Sequence, residues 1–209
     1  MRMLRPLLLA GALLAVTQSA VAQSAEGPWM IRIRALSLTP ANKSDAIPSL
    51  GVKADAITVS SKIFPEVDIS YFFQKHWAAE LILTYPQEHD VKLNGAKIGT
   101  FSHLPPVLLA QYHFMPDADF RPYVGVGANL TLIMNTDINV AGVGTLDLGT
   151  SSVGVAGQIG ADYKLSAGRF LNIDAKMVTI GTDVTKGGTK VSAVKVDPIL
   201  ISVGYGFRF

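Results

Sequence analysis

The 209-residue sequence has no cysteine, which removes disulfide frameworks, thiolate metal sites and cysteine nucleophiles in one step. It is also short of charge. Asp, Glu, Lys and Arg make up 16% of the chain, against about 25% in ordinary soluble domains. Net charge is +2, and two cations, Arg2 and Arg5, lie in the first 22 residues, which hold no acid. The remainder is neutral and offers no electrostatic footprint for nucleic acid. Nor is there, beyond the N-terminus, an unbroken apolar stretch of the ~20 residues a membrane helix needs; the run 122–134 is interrupted by Gly125, Gly127, Asn129 and Thr131. Yet 49% of the residues are hydrophobic, so the apolar side chains must be used in some other way.

Residues 1–22 read as a secretory signal peptide: Arg2 and Arg5 form a charged start, 7–16 an apolar middle too short to span a bilayer, and Ala20-Val21-Ala22 a small-x-small cleavage site. Its removal is expected to leave 23–209 as a single exported domain. A cysteine-free chain suits passage through an oxidising compartment.

After Gly27 the dominant pattern has period two, which sends successive side chains to opposite faces of a strand. Eight such runs stand out: 29–39, 63–73, 77–85, 104–114, 122–133, 152–164, 170–180 and 196–209. They exceed the five or six residues usual in soluble sheets and fit tilted membrane strands of about 9–11 residues with rims. The connections alternate between short (74–76, 115–121, 165–169) and long (40–62, 86–103, 134–151, 181–195). That is the layout of short periplasmic turns and long extracellular loops. The pattern predicts an all-β chain folded as an eight-stranded antiparallel transmembrane β-barrel of the outer membrane. In the last run one face reads Ile199, Ile201, Val203, Tyr205, Phe207 and Phe209. The same uncharged face recurs in the other runs, and Tyr71, Phe73, Tyr112, Phe114, Tyr163, Phe207 and Phe209 fall at the periplasmic ends, where an aromatic girdle lies against outer-membrane lipid.

The opposite parity lines the lumen and divides by height. Its upper part is apolar, with Leu36, Leu38, Ile82, Val107, Leu109, Ile133, Val178 and Leu200. Its lower part is charged, with Arg32, Arg34, Lys176 and Arg208 against Glu66, Asp68, Glu80, Asp162 and Asp174. Eight strands leave an interior that side chains can fill, so the charges are expected to pair into a plug rather than line a water-filled pore. The apolar part reads as a pocket or conduit for small hydrophobic solutes, with packing between strands as the alternative. Pro105 and Pro106 cannot donate ladder hydrogen bonds, so they mark a break in the wall, read here as a lateral opening; alternatively, the strand simply begins after Pro106.

No nucleophile and base sit together on one rim, so no enzyme is expected, and no cofactor motif is present. Gly125-Val126-Gly127 lacks the third glycine of a dinucleotide loop, where Leu130 stands. Glu88-His89-Asp90 reads as a solvated loop tip.

Longer motifs narrow the reading. Residues 103–112 (His-Leu-Pro-Pro-Val-Leu-Leu-Ala-Gln-Tyr), 120–129 (Phe-Arg-Pro-Tyr-Val-Gly-Val-Gly-Ala-Asn), 156–163 and Val196-Asp197-Pro198 with the closing aromatic resemble the outer membrane protein W (OmpW) family, which includes the alkane-uptake protein AlkL. The resemblance covers essentially the whole chain after the signal. It implies a barrel with a narrow hydrophobic channel for small apolar molecules, with sideways release into the membrane. It also implies recognition by the barrel-assembly machinery through the C-terminal Phe209. Some members serve as bacteriocin or phage receptors. A receptor or structural barrel acting through its long loops is therefore the second reading. Oligomeric state and the identity of the solute are not encoded in any motif.

Overall fold

The computed structural model describes residues 26–48 and 51–209; the signal peptide expected at 1–22 lies outside them. The described residues form fifteen strands: β1 (Trp29–Thr39), β2 (Lys43–Ser44), β3 (Ile57–Val59), β4 (Lys62–Phe72), β5 (Trp77–Leu83), β6 (Gln87–Leu93), β7 (Ala96–Leu104), β8 (Val107–His113), β9 (Phe120–Val140), β10 (Gly144–Leu148), β11 (Ser151–Ser166), β12 (Arg169–Val178), β13 (Gly181–Lys186), β14 (Thr189–Lys195) and β15 (Ile199–Arg208).

Eight of them close a barrel in the order β1-β4-β5-β8-β9-β11-β12-β15 and back to β1, every pairing antiparallel. Closure removes every sheet edge, the condition for backbone to stand in hydrocarbon. Alternation runs along the walls: β5 reads exposed, buried, exposed from Trp77 to Leu83. Outward side chains such as Val153, Ile159, Ile173 and Ile201 are exposed and apolar, a patch far larger than a water-soluble monomer presents. The aromatic ends are in place, with Tyr71, Phe73, Phe114, Tyr163, Phe207 and Phe209 exposed.

The long connections differ from the sequence reading. They are not loops but a second tier of strands above the barrel, in the order β3-β6-β7-β9-β10-β13-β14-β2. β9 belongs to both tiers, pairing with β8 and β11 below and with β7 and β10 above. Two of the tier's hairpins close through two-residue turns: Asn94-Gly95 joins β6 to β7 with φ of 50° and 85°, and Gly187-Gly188 joins β13 to β14 with φ of 55° and 80°. Two consecutive positive φ values are the signature of the tight turn whose twist matches paired strands. The run expected at 104–114 is likewise divided: β7 ends at Leu104 and β8 begins at Val107, with Pro105-Pro106 between.

Candidate functional site: a layered lumen

The lumen is built in layers from the short-turn end upward. At the rim, Glu26 accepts from Arg121 at 2.6 and 3.2 Å and pairs with Lys164 at 2.8 Å. Burial pushes the Glu26 carboxyl up, but its hydrogen bonds from Arg121 and Lys164 outweigh that and hold it below the usual carboxylate range. Above the rim lies a small apolar layer of Met30, Phe72, Ala78 and Phe170. Arg208 belongs here rather than in the charged plug where the sequence placed it. Its guanidinium lies 3.8 Å over the Phe72 ring and its Nε donates to Gly27 O at 2.9 Å. The reason is register: Arg208 pairs with Met30, two residues below Arg32, so the apolar layer separates it from the other charges.

The plug itself assembles the other eight predicted charges, all buried. Arg32 holds Asp162 through two bonds and Glu80 at 2.7 Å. Arg34 reaches Asp68 at 2.8 Å, Glu66 at 3.4 Å and Asp174 at 3.5 Å. Lys176 pairs with Glu66 at 2.6 Å and Asp174 at 3.0 Å. Neutral groups complete it: Ser70 bridges Arg32 and Glu80, Gln158 donates to Glu80, and Tyr123 donates to Asp174 while accepting from Arg34 and Asn172. Parity places Ser70 and Gln158 in the lumen, so these partners were within reach of the sequence. Two glycines make room. A Cβ at Gly204 would lie 2.3 Å from Ile33 O, and one at Gly160 would lie 2.4 Å from the Tyr123 hydroxyl. Two fully buried arginines span the plug, where leaving a charge unpaired would cost several kcal/mol.

Above the plug the lining is apolar. Leu36, Leu38, Ile82, Val107, Val178 and Leu200 surround a small cavity of about 20 Å³, with Glu66 and Lys176 as its floor and Pro105 in its wall. A second small cavity, of about 30 Å³, lies in the upper tier among Ile57, Val91, Phe101, Ile133, Ile138 and Val194. Of the predicted hydrophobic set, Ile133 thus lines the upper cavity and six line the lower. Leu109 is buried in the same core but sits opposite Glu80, at plug height. The upper-tier lining was missed because its residues lie in segments read as loops.

His103 lines both cavities. Its Nε2 is 3.1 Å from Nε2 of His89, whose Nδ1 is 2.7 Å from the carbonyl of Ser60. His89 is therefore not on a solvated tip: it is 1% exposed and stacked on Phe101, because β6 turns it inward beside β7. Both rings stand above the membrane-spanning strands, and both stay neutral. Burial lowers the His89 pKa despite the Ser60 bond, and burial together with the His89 ring and Lys62 brings His103 down to about 3.

The wall beside the lower cavity is interrupted. β5 and β8 pair up to Ile82 and Val107, and β6 and β7 pair from Gln87 and His103. Between these limits, among the described residues, no backbone hydrogen bond joins 83–86 to 104–106. On the other side Leu130 N donates to Pro106 O at 3.1 Å, so that seam stays closed.

This architecture matches known proteins along its length. The OmpW family model matches residues 25–209. A Sinorhizobium fredii protein described as the uncharacterized outer-membrane protein y4mB is 36% identical over 93% of this chain and 88% of its own. Outer membrane protein W of Vibrio cholerae is 29% identical over 94% of this chain and 95% of its own. The crystal structure of outer membrane protein OprG from Pseudomonas aeruginosa superposes with a TM-score of 0.76 at 28% identity, covering 90% of this chain and 99% of that one. A closed eight-stranded barrel with an uncharged outer face and a family match from end to end leaves one assignment: this chain belongs to the OmpW family of outer-membrane β-barrel proteins.

Proposed function

We propose that the chain is a passive conduit through which small hydrophobic molecules enter from outside, descend through the two apolar cavities and leave sideways into the membrane. The observation that carries this reading is the sequence of layers. Among the described residues, twenty buried hydrophobic side chains form one core cluster, most of it above the paired charges of Glu66 and Lys176. A solute that prefers apolar surroundings has no favourable step downward through that floor. The unpaired stretch at 83–86 and 104–106 offers the exit, since Pro105 lines the lower cavity and neither proline donates to a ladder.

The test is uptake of a labelled medium-chain hydrocarbon by whole cells with and without the protein, at matched assembly in the outer membrane. A saturable, protein-dependent increase supports the conduit. No difference across several apolar solutes would instead favour a receptor or structural barrel, and truncation of the β9–β10 hairpin would then become the informative change.

A further inference from the structure

We propose that the seam between β2 and β3 is the extracellular gate of the lumen, and that it opens sideways onto the upper cavity. This rests on the conduit reading. The two cavities hold about 30 and 20 Å³, room for a water or two. A conduit in this state is shut, so some part of its wall must yield before a solute enters.

Most of the upper tier is held by ladders. Successive strands pair from β3 through β6, β7, β9, β10, β13 and β14 to β2. The circuit has one gap, because β2 and β3 are its two ends and no ladder joins them. Side chains close that gap instead. Asn42 Oδ1 accepts from Val59 N at 2.7 Å, Ser44 Oγ from Ile57 N at 3.3 Å, and Asp55 Oδ1 from Ser44 N at 3.1 Å. One backbone bond, Asp55 N to Ser44 O at 2.9 Å, and the exposed ion pair of Lys43 with Asp55 at 2.8 Å complete the closure among the described residues.

These stitches are easier to part than a ladder. Those of Asn42 and Asp55 are exposed or only partly buried, so water can replace them at small net cost. Both residues also hold positive φ, 55° and 60°. Such backbone persists only where its surroundings over-determine it, so the two residues that stitch the seam are also the ones that relax when it parts.

The seam lies against the lumen. Ile57 and Val59 on β3 line the upper cavity, and so does Val194, which pairs with Ser44 across β14 and β2. Parting β2 from β3 therefore uncovers apolar lining on both sides and breaks no ladder, in the tier or in the membrane.

The native chain has no cysteine, so one introduced thiol reports alone. Ile138→Cys places it on the lining of the upper cavity, where Ile138 is 3% exposed. The assembled protein in lipid nanodiscs is treated with N-phenylmaleimide, a small apolar thiol reagent, and the modification rate is followed by mass spectrometry. Adding Asn42→Ala, Ser44→Ala and Asp55→Ala should raise that rate by roughly tenfold, the population shift set by about one net hydrogen bond. Adding Asp183→Ala, which removes the exposed Lys190–Asp183 pair on another hairpin, should leave it unchanged. In a chain with Ile138 retained, Lys43→Cys with Asp55→Cys, bridged by a short bis-methanethiosulfonate, locks the seam. Hydrocarbon uptake by cells should then fall several-fold and return on reduction. A labelling rate indifferent to the stitches, an equal rise with Asp183→Ala, or uptake that persists through the lock would each overturn the gate. If the unaltered protein gives no uptake at all, the conduit reading falls, and the labelling rates alone decide whether the seam opens.

Discussion

Arg32 and Asp162, 130 residues apart in the chain, meet inside the barrel through two hydrogen bonds, Nε to Oδ1 at 3.0 Å and Nη2 to Oδ2 at 2.7 Å. Their strands, β1 and β11, are not neighbours in the wall, so the pair is a strut across the lumen. The plug thus ties opposite walls together. Asp162→Ala should leave Arg32 buried with one partner fewer and destabilise the barrel by about 3–5 kcal/mol. Urea unfolding in lipid vesicles measures this. Arg32→Met combined with Asp162→Leu should cost clearly less than the sum of the two single changes, because no unpaired charge remains between them. An additive double variant would mean that the strut is not a coupled unit.

The close approach at Gly204 is a second structural commitment. An added Cβ would lie 2.3 Å from Ile33 O and 2.8 Å from Arg34 Cα, and both atoms belong to backbone that cannot swing aside. Gly204→Ala should therefore cost about 1–3 kcal/mol. Gly157→Ala is the internal control: nothing lies within 4 Å of its Cβ position, and it should change stability by less than ~0.5 kcal/mol. Parallel unfolding curves for the two variants decide the point.

How much of this was legible in the sequence depends on what each layer needs. The membrane walls follow from period-two alternation, and β1 was bounded to the residue because Trp29–Thr39 alternates without a break. The eight plug charges followed from parity alone. Arg208 did not, since parity gives the face of a strand but not its height against a neighbour, and height depends on the pairing of Arg208 with Met30. The upper tier was missed for a different reason. Asn94-Gly95 and Gly187-Gly188 are strong hairpin signals, but the flanking segments carry polar residues on the outer face and a few apolar ones, such as Val91 and Phe101, on the inner face. Their burial becomes visible only when all the hairpins close around one cavity. The His89–His103 contact is of the same kind, a diagonal pair across β6 and β7 that exists once the hairpin register is set.

That pair also predicts a pH response. Both imidazoles are held below their ordinary pKa of 6.5, His103 at about 3. The folded tier then binds fewer protons than the opened one as pH falls below 6.5, so its stability is full above that value and declines through the window down to about 3. Glu26, held low, acts in a separate range: the stability it adds is complete above its ordinary value of 4.5 and is lost as pH falls below that. Between pH 6.5 and 5 Glu26 stays ionised, and in the upper tier the two histidines act. Amide hydrogen exchange in β6 and β7 should accelerate over this interval relative to β1 and β15, and His89→Phe with His103→Phe should remove the difference. Uniform acceleration in all four strands would show that the upper tier has no titration of its own.

The break at Pro105 and Pro106 yields the last expectation. If apolar solutes leave the lower cavity between 83–86 and 104–106, restoring backbone donors there should close the route. Pro105→Thr with Pro106→Thr returns one N–H on the side of Leu83 to Pro86, at 105, and one toward Leu130, where the carbonyl of residue 106 already points, and lets the ladder of β5 and β8 extend upward. Barrel stability should stay level or rise, while protein-dependent uptake of a medium-chain hydrocarbon should fall several-fold. Filling the cavity instead, with Val178→Trp, should lower uptake without touching the wall, at an overpacking cost of about 1–3 kcal/mol. The two variants separate the path from the door. Loss in both supports a solute that occupies the cavity and exits through the break; loss only in Val178→Trp places the exit elsewhere; and unchanged uptake in both removes the lumen from the route altogether.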